Sequence, residues 1–237
     1  MANLVLVHGA WHGAWCWSKL VPLLTAQGHQ VSTPDLPGHG GDTTPLTRIT
    51  MKRYVRRIVE SVNAFDGEVI LVGHSMAGLV ISQVAEQLPE RISRLVYVTA
   101  FLLPNGKDLF SAMQHERGQS LSTATENGAG LVISDQIFSD IFYSDCSDAD
   151  RAWAKPQVVT QAALPFAASL VLTDESFGSV PRAYIHCELD RVIPLDEQVE
   201  MVSGSPCQQV AHIAAGHMAM ISEPLLLAGA IEQVIAG

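Results

Sequence analysis

Positive charge is scarce in this chain: 14 Lys and Arg stand against 24 Asp and Glu among 237 residues, a formal net charge of −10. Binding to nucleic acid or to anionic lipid needs clustered basic side chains, so neither partner is expected. Charge of either sign is thin, at 16% against 48% hydrophobic residues, which excludes a disordered or solvating protein. Long hydrophobic runs are missing too. No window reaches the roughly 18 apolar residues of a membrane span. Met1-Ala2-Asn3 leads straight into Leu4-Val5-Leu6-Val7 without the basic region of a signal peptide. The 4 cysteines, Cys16, Cys146, Cys187 and Cys207, share no CxxC spacing and do not suggest a disulfide scaffold. Free thiols and a cytoplasmic location are the expectation. The natural partner is a small neutral or weakly charged molecule, with a homodimer left open.

What is present is an alternation of short apolar runs and helix-length segments, within the length of a single domain. Leu4–His8 and Glu68–His74 read as buried strands, and His29–Leu36, Arg94–Ala100, Arg182–Glu188 and Gln208–Ala214 resemble them. Helices are expected at Trp17–Gln27, Thr50–Ala64, Met76–Gln87, Leu195–Val202 and Glu223–Ala236. Such alternation predicts an α/β fold, a mostly parallel sheet of about six strands with helices on both faces. Ligands then belong beyond the carboxyl ends of the strands. The stretch 104–176 breaks the rhythm, with helix-like pieces near Asp148–Ala163 and no clear strand pattern. It is too long for an ordinary connection and reads as a cap inserted after the fourth strand, roofing a site.

One segment carries chemistry. The apolar strand Val69-Ile70-Leu71-Val72 ends at Gly73, Ser75 follows two residues later, and an apolar helix begins at once. A tight strand-to-helix turn aims a serine at a helix N-terminus, where unpaired N–H groups favour developing negative charge. The usual pattern is G-x-S-x-G; here Ala77 holds the fifth position and Gly78 comes one residue later. The plainer alternative is a Gly-rich turn whose serine caps the helix.

A serine hydroxyl needs an imidazole to take its proton, and the imidazole needs a carboxylate to orient it. In a strand–serine–helix setting of this kind the chain order is serine, acid, histidine. His217 lies just past the last expected strand, whereas His212 lies inside it and reads as structural. His8, His12 and His74 hug other loops, and His29, His39, His115 and His186 lack the order or position. Asp190 follows the strand ending at Cys187 and is the expected acid. Asp196 competes, but it opens a helix after Pro194 and reads as a helix-start charge; Glu188 sits closer to the strand.

The loop His8-Gly9-Ala10-Trp11-His12-Gly13 follows the first strand. Acyl transfer needs two fixed donors for an oxyanion, and the backbone N–H groups of Met76 and Ala10 are the candidates, Gly9 providing clearance. His8 and His12 have metal-like spacing without a third ligand, so no metal is expected. Asp35–Asp42 lacks the strand–GxGxxG–helix setting of a dinucleotide site, so no cofactor is expected.

With these residues in hand, the chain resembles the methylesterase and hydroxynitrile lyase branch of the α/β-hydrolases. The likeness runs through Val7–Trp15, Val69–Ser75, Phe177–Ile185 and Gly216–Pro224, and is looser in the cap. It implies the α/β-hydrolase fold, a Ser75, Asp190 and His217 triad, and oxyanion donors at Ala10 and Met76. In the lyases of this branch a Thr follows the first-strand His and a Lys follows the catalytic His. Gly9 and Met218 occupy those positions here, both expected within reach of the substrate, and Met cannot stabilise a departing cyanide. The resemblance therefore implies an esterase acting on small carboxylic esters. A ligand-sensing receptor of the same fold is the alternative from another class. A lactonase, an amidase, a thioesterase or a hydroxynitrile lyase would use the same triad.

Overall fold

Apolar strands without polar alternation must be covered on both faces, and that requirement sets the architecture. The computed structural model describes residues 1–113 and 121–236. Six strands form one parallel sheet: β1 (Asn3–Val7), β2 (Gln30–Ser32), β3 (Val69–His74), β4 (Ile92–Val98), and, after a long insertion, β8 (Arg182–Cys187) and β9 (Gln209–Ile213). Their order is β2-β1-β3-β4-β8-β9. The chain leaves β1 for β2 on one side and returns to β3 on the other. Strand order reverses there, opening a crevice at the carboxyl ends of β1 and β3. The Gly9–Gly13 loop and Ser75 follow those two ends.

The covering helices are α1 (Val21–Ala26), α2 (Met51–Asn63), α3 (Ala77–Gln87), α7 (Leu195–Gly204), α8 (Ala219–Ser222) and α9 (Pro224–Ala236). Helix α2 buries Met51, Tyr54, Val55, Ile58 and Val62, the i, i+3, i+4, i+7 stripe of a half-covered helix. Helix α3 is buried almost all round, packed between the sheet and α2. The helix expected over Trp17–Gln27 divides into a 3-10 turn at Ala14–Trp17 and the short α1, which has Pro22 in its first turn, where a missing N–H costs nothing. The strand expected over His29–Leu36 ends at Ser32, and the Leu36 N–H is donated to His8 Nε2 instead of a ladder.

Between β4 and β8 the chain builds a separate antiparallel sheet, β5 (Thr123–Ala124), β6 (Gly130–Val132) and β7 (Gln161–Ala162), with α4 (Leu109–Met113), α5 (Asp135–Ile137) and α6 (Asp148–Ala154). Strands of two or three residues are too short to show alternation, which is why the sequence carries no strand pattern there. The helix-like pieces read near Asp148–Ala163 are α6 and a 3-10 turn at Lys155–Gln157 that contains Pro156, after which Gln161 joins β7. His115 and the rest of 114–120 lie outside the described residues. Among the described residues no helix is long and apolar enough to cross a membrane.

Candidate active site

Ser75 adopts φ 56°, a left-handed conformation that a residue with a side chain occupies only under constraint. Close packing supplies the constraint. A Cβ on Gly73 would lie 2.9 Å from Ile81 Cδ1 and 3.0 Å from the Ala77 carbonyl oxygen, and one on Gly78 would strike the Phe101 carbonyl. The tight approach in this turn is therefore at Gly78, which explains how Ala77 is accommodated in the fifth position of the motif. The Ser75 carbonyl oxygen accepts from Gly78 N and Phe101 N, both at 3.1 Å.

Asp190 is buried on the loop after β8 with all its acceptor capacity engaged. Its Oδ1 accepts from Val192 N at 2.6 Å and Ile193 N at 3.1 Å. Its Oδ2 accepts from His217 Nδ1 at 2.7 Å and Thr99 Oγ1 at 2.5 Å. A carboxylate in these bonds only accepts, so the proton on His217 sits at Nδ1 and Nε2 keeps its lone pair. That Nε2 is buried and, among the described residues, has no hydrogen-bond partner, Ser75 included. In unliganded sites such bonds are commonly long and tighten when substrate arrives. The backbone around His217 is held as well, Gly216 N donating to Asp145 Oδ2 at 2.6 Å and His74 Nε2 to the His217 carbonyl at 2.8 Å, while Phe142 packs against the ring at 5.3 Å and near-perpendicular. The competing acids are engaged elsewhere. Asp196 is exposed and accepts from Glu197 N, while Glu188 stands 3.5 Å from His212 on the surface.

Ser75, Ala10 and Met76 share the wall of one cavity of about 760 Å³. Among the described residues the N–H groups of Ala10 and Met76 have no protein acceptor, leaving two donors beside the serine. The remaining wall is mostly apolar, with Trp11, Phe101, Phe110, Phe142 and Phe166 contributed by core and insertion together. Gly9 and Met218, expected against the substrate, are not on this wall. A Cβ on Gly9 would lie 2.9 Å from Ser75 Cβ and 3.0 Å from His74 Nδ1, so Gly9 is needed for packing against the serine turn. Met218 is fully buried, and a lysine there would be a buried ammonium.

Four histidines around the site are buried and neutral. Burial pushes His12 down to about 3 and His39 to about 4, and holds His8 and His74 well below the ordinary histidine range. The His8 bond requires the neutral form, since Nε2 accepts from Leu36 N; in the neutral form His12 Nε2 accepts from the Tyr143 hydroxyl and His39 Nε2 from the Tyr54 hydroxyl. Because these histidines gain protons only when unfolded, their contribution to stability is complete above about pH 6.5 and is lost as pH falls. Each removes up to about 1.4 kcal/mol per pH unit below that point, His39 ceasing near pH 4 and His12 near pH 3. Urea midpoints measured from pH 7.5 to 4.5 should drop steeply and reversibly. A flat profile across that window would contradict the neutral-histidine assignment.

Thr99, Asp145, Tyr143 and Gln161 touch this machinery without any local sequence signal. Among the described residues no group of three or more His, Cys, Asp or Glu could hold a metal ion. Residues 4–230 match the model of the "Alpha/beta hydrolase family". Methylesterase 2 of Arabidopsis thaliana is 34% identical, covering 95% of this chain and 92% of its own length. Salicylic acid-binding protein 2 of Nicotiana tabacum is 31% identical over 98% of this chain and 96% of its own. The crystal structure of polyneuridine aldehyde esterase superposes with a TM-score of 0.86 at 28% identity, each chain fully covered. A parallel sheet with a serine at a strained strand-to-helix turn, and a family match along nearly its full length, establish that this chain belongs to the alpha/beta hydrolase family.

Proposed function

We propose that the protein is a serine esterase that hydrolyses small-molecule carboxylic esters bearing a bulky apolar group. The observation that carries this is the convergence of a strained serine and two unpaired backbone donors on one apolar cavity, beside a buried Asp190–His217 pair with a free Nε2. Ser75 Oγ attacks the ester carbonyl as His217 Nε2 takes its proton, and Asp190 steadies the resulting imidazolium. The carbonyl oxygen, now negative, receives the N–H groups of Ala10 and Met76. Collapse breaks the bond to the alkoxide, which leaves as an alcohol with the proton from His217. Water then attacks the acyl-enzyme by the same route, releasing the acid and restoring Ser75. Similarity to proteins named methylesterases favours hydrolysis over the lyase reaction. Free thiols support a cytoplasmic setting.

A series of methyl esters with a constant leaving group tests the reading. The cavity volume lies in the range that encloses drug-sized ligands. Burial of additional apolar carbons should raise kcat/KM from methyl acetate to methyl esters of bulky aromatic acids by roughly 100-fold or more. If no ester, lactone or thioester turned over above the Ser75→Ala background, the protein would be a binding member of its fold.

A further inference from the structure

The insertion grips the loop that carries Ala10 through one buried side chain and two backbone groups. Trp11 sits at φ 62°, a conformation that L side chains rarely adopt. Its N–H donates to Gln161 Oε1 at 3.3 Å, its carbonyl accepts from Val159 N at 3.0 Å, and its Nε1 donates to the Leu131 carbonyl at 2.8 Å. All three partners belong to the insertion. The peptide plane joining Ala10 and Trp11 is thereby held at both ends: the Ala10 carbonyl accepts from His12 Nδ1 at 2.7 Å while the Trp11 N–H goes to Gln161.

Gln161 is completely buried, and both hydrogens of its amide are used. Its Nε2 donates to the Tyr54 hydroxyl at 3.1 Å and to the Ala162 carbonyl at 2.9 Å. Tyr54 donates to His39 Nε2 at 3.0 Å, and His39 Nδ1 donates to the His12 carbonyl at 2.5 Å. The circuit runs from Trp11 through Gln161, Tyr54 and His39 back to His12, which holds Ala10. Every polar atom in it has one geometry that satisfies its neighbours, and a fully satisfied buried network of this kind specifies a single arrangement.

We propose that Gln161 is a positioning residue for the reaction: by fixing the Ala10–Trp11 peptide from the insertion, it orients the Ala10 N–H toward the oxygen that becomes negative beside Ser75. The inference rests on the esterase reading, because it gives Ala10 the role of a donor. Holding a donor in place before the reaction begins is what makes it effective, and a loop free to rotate about Ala10 loses part of that advantage.

Q161M replaces the amide with an apolar chain of similar length. It should lower kcat about 10- to 100-fold, less than the loss of a whole donor at the upper end, with KM changed by no more than about threefold. Q161E keeps an acceptor for the Trp11 N–H and, buried as the neutral acid, one donor for Tyr54 or Ala162, so it should lose less kcat than Q161M however far Tm falls. A trifluoromethyl ketone supplies the readout that a merely structural role would not move. Ser75 Oγ adds to its carbonyl carbon, His217 takes the proton, and the former carbonyl oxygen carries the negative charge. Its affinity for Q161M should fall by the same factor as kcat/KM, while a non-reactive amide of the same size binds as in wild type.

The inference is overturned if folded Q161M keeps wild-type kcat and ketone affinity. It is also overturned if Q161M and Q161E lose activity equally and in step with Tm. Should Q161M fail to fold, Q161N, whose shorter arm withdraws the amide from the Trp11 N–H, reads the same quantities. Wild-type labelling by a fluorophosphonate separates the two levels. An unlabelled, inactive wild type removes the esterase reading and this inference with it, whereas a labelled, active wild type beside an equally fast Q161M removes the inference alone.

Discussion

Ser75→Ala should lower kcat by about a million-fold, the order seen when a triad nucleophile is lost. Ser82, the next serine along the chain, cannot take its place: it is buried within α3, donating to the Gly78 carbonyl at 2.7 Å and bonded to the Tyr97 hydroxyl at 2.8 Å. His217→Ala should cost about as much, and the double variant no more than either single change, because the two residues act as one unit. A fluorophosphonate should label wild type once per chain, on Ser75. Peptide mapping that put the label on another serine, or steady turnover by Ser75→Ala, would sink the assignment. Folding should be little affected, since the φ of 56° at position 75 is imposed by packing and removal of one oxygen leaves that packing intact.

Asp190→Asn should lower kcat by about 10,000-fold, and the reason lies in the donors around the carboxylate. Four groups point hydrogens at it: Val192 N and Ile193 N on one oxygen, Thr99 Oγ1 and His217 Nδ1 on the other. Asparagine has one oxygen. Turned so that its NH₂ faces the two backbone N–H groups, it opposes donors with donors and loses both bonds. Turned so that its NH₂ faces His217, it demands a bare Nδ1, which moves the ring proton to Nε2 and removes the lone pair that must receive the Ser75 proton. The second orientation keeps the backbone bonds and is the one expected to prevail. Asp196→Asn should stay within about twofold of wild type, as an exposed helix-start residue away from this network. Both variants should be compared at pH 8 and pH 6 by kcat. If the losses were exchanged between them, Asp196 would be the acid.

The serine turn and the pairing of Asp190 with His217 could be read without coordinates because the information about them is local or ordinal. The serine turn is written within ten consecutive residues: an apolar run, a small residue, a serine, small residues again and an apolar helix. Continuous apolar strands separated by helix-length segments force a covered parallel sheet, and loops after successive strands then gather at one end of it. Asp190 and His217 needed only their order and their places after β8 and β9.

What the chain order could not supply came from residues brought together by packing. Thr99 reaches Asp190 across 91 residues, Asp145 holds Gly216 across 71, and Gln161 meets Trp11 across 150. No period or spacing connects such pairs, since each contact depends on how the insertion settles on the sheet. The insertion itself was opaque because its strands are too short for alternation and its helices too brief for a stripe. The glycines show the same division. Sequence position singled out Gly9 and the missing fifth-position glycine, but the reasons are tertiary: the Gly9 hydrogen faces Ser75 Cβ, and the backbone that crowds the turn approaches at Gly78 from Phe101. Local pattern and chain order determined the sheet, the serine turn and the candidates Asp190 and His217; three-dimensional packing alone decided which donors hold Asp190 and the loop of Ala10, because hydrogen bonds between distant segments leave no periodic trace in either one.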